Sequence, residues 1–130
     1  MIRRPTPKLL IFDVDGTLRR TTVEGLPCPN RSDQWELMPN VSETLGRIDW
    51  GPRGVRLGVA SNQGGVALGY IREEIARSLI EDAVKAAIGF IPPDALIKMC
   101  ICAPGSACAC RKPNPGMLLD ILHESGVKRK

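Results

Sequence analysis

The sequence predicts an α/β fold in which a parallel sheet carries helices on both faces. Three observations point there: short apolar runs that each end in polar residues, amphipathic stretches with a period near 3.6, and regular alternation of the two. With 130 residues, 43% hydrophobic and 25% charged, the chain has the balance of one compact unit, so a single domain over 1–130 is expected.

The apolar run KLLIF, followed by Asp-Val-Asp-Gly-Thr, predicts a buried first strand over about 8–14 that delivers polar side chains at its carboxyl end. From Thr17 to Asn40 the chain is rich in Arg, Thr, Pro, Asn and Gly without a sustained period, and a long irregular excursion is expected. Val41, Leu45 and Ile48 share one helical face, with Ser42 and Glu43 at its start, which predicts a short helix over 41–48. Alternating Val55, Leu57 and Val59 predict a second strand over 55–61, closed by a turn at 62–65. Ile71, Ile75, Leu79, Val84 and Ile88 recur at helical spacing and predict a helix over 71–88, which ends before Pro92-Pro93. ALIKMCI predicts a third strand over 95–101. A last helix over 115–124 would use Leu118, Leu119, Ile121 and Leu122. Ligands of such sheets sit at the carboxyl ends of the strands.

Composition narrows the function. Phe12, Trp35, Trp50, Tyr70 and Phe90 are too few to build a stacking platform for single-stranded nucleic acid. The net charge of +4 is modest and lies partly in Arg3-Arg4 and Lys128-Arg129-Lys130, which read as solvated ends. No apolar run approaches the roughly 18 residues of a membrane span, so no membrane partner and a cytoplasmic location are expected. A single histidine, His123, excludes Ser-His-Asp and Cys-His arrangements.

Asp13 and Asp15 are one residue apart at a strand end and project to the same side, with Gly16 allowing a sharp turn. Carboxylates this close repel, so the pair suits a divalent cation or a nucleophile with a proton donor; the bland alternative is a polar Asp-Gly turn. Of five cysteines, Cys100, Cys102, Cys108 and Cys110 fall within eleven residues, which reads as a metal site before it reads as disulfides. Two short arms can make a tetrahedral zinc site over about 100–110; an iron–sulfur cluster, disulfides and ordinary thiols stay open. Cys28, among prolines, reads as a bystander. Arg19, Arg20 and Arg111 are candidates for a second anionic group on a substrate.

The strings DVDGT, VASNQGG and CRKPNPGML, in that order, resemble the first three motifs of the haloacid dehalogenase-like hydrolases. SNQGGVALGY and CACRKPNPGML resemble its capless or small-capped branch of histidinol-phosphate and heptose bisphosphate phosphatases, with the phosphatase domain of polynucleotide kinase a more distant relative. The resemblance implies a Rossmann-like fold and a Mg²⁺-dependent phosphomonoester phosphatase that works through an aspartyl-phosphate on a small phosphorylated metabolite. Asp13 would be the nucleophile and Asp15 the acid and base, both at the Mg²⁺ site, with Thr17 holding the turn. Ser61, helped by the N–H groups of Asn62 and Gln63, would bind the phosphoryl oxygens and Lys112 would neutralise charge. It also implies a structural Zn²⁺ between the second and third motifs, with a Cys here where the branch has His.

The resemblance implies a fourth, acidic motif after the last helix, and the sequence ends at Lys130 without one. The fold is therefore expected to be short at its C-terminus, with strand one an open edge that invites a homodimer or a partner chain. Asp120 or Glu124 could stand in for the missing acid. The alternative function is a catalytically incomplete, zinc-stabilised binding or assembly domain. A nucleic-acid end as substrate fits less well than a small molecule.

Overall fold

The computed structural model describes residues 9–127; the two terminal basic clusters and Lys8 lie outside them. The elements run β1 Leu9–Phe12, β2 Arg19–Thr21, β3 Trp35–Leu37, α1 Val41–Leu45, β4 Arg56–Asn62, α2 Glu73–Ile88, β5 Leu96–Cys100 and α3 Gly116–Ser125. β1, β4 and β5 form a parallel sheet with β4 in the middle, so β1 is an edge among the described residues.

Alternation along the strands sorts the core into two layers. Leu10, Phe12, Leu57 and Val59 face a cluster with Ile80, Ala83 and Val84 of α2, Leu45 of α1 and Trp50. Leu9, Ile11 and Ala60 face the opposite cluster with Met117 and Ile121 of α3. Helices therefore cover both faces, as expected.

The departures are local. α2 buries Ala76, Leu79, Ile80, Ala83, Val84 and Ala87, a stripe centred beside the predicted one. The alanines carry little bulk and let the helix approach the sheet. α3 rests on the sheet along one narrow line, Met117 and Ile121, so Leu118 and Leu119 are exposed rather than packed. α1 stops at Leu45, yet Val41, Leu45 and Ile48 still pack on the core. The irregular excursion expected over 17–40 instead holds an antiparallel pair, with Arg19 opposite Leu37 and Thr21 opposite Trp35. Strands of three residues are too short to show a period.

Candidate active site

The carboxyl ends of β1 and β4 are two neighbouring lips of one cleft. After Phe12 the chain turns sharply: the N–H groups of Thr17, Leu18 and Arg19 converge on the Val14 carbonyl, and the Gly16 N–H reaches the Arg19 carbonyl at 2.8 Å. Gly16 has φ 84°, a left-handed conformation that strains any side chain. This turn sets Asp13 and Asp15 on the same cleft of about 410 Å³, with Asn62, Lys112 and Pro113. Thr17 is exposed, and it is its backbone N–H that serves the turn.

Asp13 is half-exposed. Its Oδ1 accepts from the Val14 N–H at 2.7 Å and from Lys112 Nζ at 2.7 Å. Lys112 Nζ also donates to the Ala60 carbonyl at 2.8 Å, so one of its three protons remains for a ligand oxygen. The lysine is aimed by Asn62, whose side-chain amide donates to the Lys112 carbonyl at 3.1 Å while its Oδ1 accepts the Lys112 N–H at 2.9 Å. The Lys112–Pro113 peptide bond is cis.

Asp15 stands in drier surroundings. Arg19 Nε donates to Oδ1 at 2.8 Å and Arg19 Nη2 to Oδ2 at 3.2 Å, and Gln63 Nε2 donates to Oδ2 at 3.2 Å. Gln63 also donates to Ser61 Oγ at 2.8 Å, and both residues are buried. Cys28, expected to be a bystander, lies beside the closed side of the cleft. Its thiol points at the Asn62 carbonyl at 3.8 Å, and burial, then the neighbouring Asp15 carboxylate, push it up to about 12.

Several expectations change at this point. Arg19, expected to face a substrate, is completely buried and committed to Asp15. Arg20 is exposed and pairs with Glu36 at 2.6 Å across the β2–β3 pair. The Gln63 N–H, expected to bind phosphoryl oxygens, is taken by the Cys100 carbonyl at 2.7 Å, and the side chain of Gln63 is the part that reaches the site. Arg111 donates to the Cys102 carbonyl at 3.3 Å and does not line the cleft. Glu124 is excluded as a stand-in acid: it pairs with Lys98, and its carbonyl receives Arg56 at the amino end of β4.

The four cysteines gather at the end of β5, with their sulfurs all within 4.8 Å of one another. Sulfur pairs lie at 3.6 Å (Cys100–Cys108), 3.8 Å (Cys102–Cys110), 3.8 Å (Cys108–Cys110) and 2.7 Å (Cys100–Cys110), and all four thiols are free. Tetrahedral Zn²⁺ with bonds of about 2.3 Å separates its sulfurs by about 3.8 Å, so three of these spacings fit directly. The thiols shift in opposite directions, Cys108 down and Cys102 and Cys110 up, because the packed sulfurs share protons among themselves. The Gly116 N–H bonds the Ala109 carbonyl at 3.0 Å, and a Cβ at Gly116 would meet that same oxygen at 2.5 Å; only glycine lets α3 start so close to the cluster. Arg111 and Lys112 follow Cys110 directly, so whatever fixes the cluster fixes Lys112.

Asp13 Oδ2 carries no hydrogen bond among the described residues, which leaves one hard carboxylate oxygen open on the cleft, suited to a Mg²⁺ that keeps several waters. Among the described residues no third carboxylate joins Asp13 and Asp15; the cysteines are the one cluster of three or more metal-binding side chains.

A family model described as polynucleotide kinase 3 phosphatase matches residues 8–128. The D-glycero-beta-D-manno-heptose-1,7-bisphosphate 7-phosphatases of Pseudomonas aeruginosa and Bordetella bronchiseptica are 31% and 32% identical over 122 and 125 residues, each covering 92% of this chain. The crystal structure of D,D-heptose 1,7-bisphosphate phosphatase from B. bronchiseptica, complexed with magnesium and phosphate, is similar with a TM-score of 0.71 at 32% identity over 92% of this chain. The chain spans 64% of the length of these relatives.

Proposed function

Because the chain belongs to the polynucleotide kinase 3 phosphatase family, we propose that it carries the chemistry of a Mg²⁺-dependent phosphomonoester phosphatase acting on a small phosphorylated metabolite. A phosphorylated sugar is the first substrate class to test, since that is what the heptose bisphosphate phosphatase relatives are named for. The observation that carries the reading is the meeting of Asp13, Asp15 and Lys112 on one cleft, with Lys112 Nζ 2.7 Å from Asp13.

Asp13 is the nucleophile because it is the exposed member of the pair. One carboxylate oxygen attacks phosphorus, the bond from phosphorus to the leaving oxygen breaks with its electron pair, and that oxygen takes a proton from the Asp15 carboxyl. Asp15, now a carboxylate, accepts a proton from the water that attacks the aspartyl-phosphate, which releases phosphate and restores Asp13. Lys112, with one proton free, holds an equatorial oxygen while charge moves between nucleophile and leaving group; Ser61, expected to share that task, is buried with its Oγ bonded by Gln63 and does not line the cleft. Mg²⁺, held at Asp13 and Asp15, would supply charge neutralisation on the phosphoryl oxygens.

The four cysteines hold a structural Zn²⁺ on this reading. Titration of the reduced chain with Co²⁺ should give the absorption of a tetrahedral tetrathiolate at one equivalent, and its absence would leave the cluster as plain thiols. Free thiols also support a cytoplasmic location. No helix among the described residues is long and apolar enough to cross a membrane.

Hydrolysis of a phosphorylated sugar and of an aryl phosphate, with and without Mg²⁺, tests the function. Turnover that needs Mg²⁺ and falls by about 10⁴-fold in Asp13→Asn supports it. Among the described residues no third carboxylate joins Asp13 and Asp15, and this keeps a second reading, a zinc-stabilised binding domain without turnover. A folded chain inactive on both substrates would select that one.

A further inference from the structure

Arg19 is the one fully buried charged side chain among the described residues, and nothing in the reaction as described uses it. Its sequence neighbours Val14 and Leu18 belong to the buried hydrophobic core. A guanidinium without solvent is tolerated only when its donors are spent on good acceptors, and a charge partner matters most. Here Nε and Nη2 form a fork on the two oxygens of Asp15, and Nη1 donates to the Leu79 carbonyl of α2 at 2.9 Å, sixty residues away in sequence.

We infer that Arg19 is the positioning residue of the general acid: it ties the Asp15 carboxylate to α2 and fixes its plane toward the leaving group. The inference rests on the phosphatase reading. Two parallel hydrogen bonds define an orientation, where a single charge would define only a distance. Gln63 Nε2 adds a third donor from the end of β4, so Asp15 cannot rotate without losing at least two bonds. Its remaining exposed edge lines the cleft. A proton donor must meet the leaving oxygen within hydrogen-bond reach, and misplacement by about 1 Å can cost on the order of 10²-fold.

The test uses leaving groups of different need. An aryl phosphate with an acidic phenol departs without a proton, whereas an alkyl phosphate requires one. kcat/KM is the quantity to read, because it reports the steps up to formation of the aspartyl-phosphate and not its hydrolysis. In Arg19→Met, which keeps length and removes the donors, kcat/KM should fall by about 10²-fold on the alkyl phosphate and by less than about fivefold on the aryl one. Arg19→Lys keeps the charge without the fork and should fall between, and it carries the test if the methionine variant unfolds. Equal losses on both substrates would make Arg19 merely structural and overturn the inference, as would an unchanged alkyl rate. A parent chain inactive on both substrates would overturn the phosphatase reading itself, and this inference with it.

Discussion

Asp13 and Asp15 leave the same turn two residues apart, but they enter different worlds. On the Asp13 side the cleft is open: the carboxylate is 46% exposed, Lys112 is 25% exposed, and the contacts come from a flexible ammonium and one backbone N–H. On the Asp15 side it is closed, with the carboxylate 18% exposed against a guanidinium with no exposure, and with buried Gln63 and Ser61 behind it. A nucleophile has to be reached by substrate and then by water. A proton donor has to be held still. On the phosphatase reading, that asymmetry, and not the two identical side chains, is what matches Asp13 to the nucleophile and Asp15 to the proton donor.

The sharpest break of this comparison is chemical. Cys28 lies on the closed side, and its thiol is pushed up to about 12 from an ordinary 9.0, chiefly by burial and then by Asp15. At pH 8 its thiolate fraction is therefore smaller by about 10³-fold, and since a more basic thiolate is also more nucleophilic, alkylation should slow by at least about tenfold relative to the unfolded chain. Peptide mass spectrometry after timed iodoacetamide treatment reads it. Alkylation at the unfolded rate would mean that water reaches the Asp15 side freely.

Stability gives the next contrast. Asp15→Asn removes the one charge partner that buried Arg19 has among the described residues and should cost about 3 kcal/mol. Asp13→Asn acts on a half-exposed pair and should stay within about 1 kcal/mol. Urea midpoints of the two variants provide the measurement, and equal losses would erase the distinction drawn between the two sides.

Asn62 serves the open side by gripping both backbone groups of Lys112. Asn62→Ala should cost about 1–2 kcal/mol in a urea unfolding curve. It should also weaken inorganic phosphate binding measured by calorimetry, because the lysine loses its aim. Stability lost with phosphate affinity intact would show that the cysteine cluster alone positions Lys112.

How much of this was legible in the sequence follows the range over which each feature is encoded. Asp13, Asp15, Lys112 and the four cysteines stand out because local spacing carries their meaning, and the sheet follows from alternation that β4 and α2 display within a few residues. The role of Arg19 depends on the Leu79 carbonyl, and that of Gln63 on a side chain turned back to Asp15 while its N–H completes the ladder to Cys100. No local pattern encodes such contacts. Two adjacent arginines in a polar stretch read alike, and only the β2–β3 pairing separates them.

That pair offers the smallest and most exacting prediction. Strand alternation sends Arg19 inward and Arg20 outward, where its 2.6 Å contact with Glu36 is the shorter of the two ion pairs. Length is a poor guide to worth here. Arg20 and Glu36 are 55% and 51% exposed, so water and salt screen their attraction, and two long side chains lose freedom to make it. Arg20→Ala should therefore shift stability by less than about 0.5 kcal/mol in urea unfolding and leave the alkyl-to-aryl preference untouched. A loss above about 1 kcal/mol would mean that the surface pair, and not the buried fork of Arg19 with the strand ladder, holds β2 against β3 and so keeps Asp15 in place.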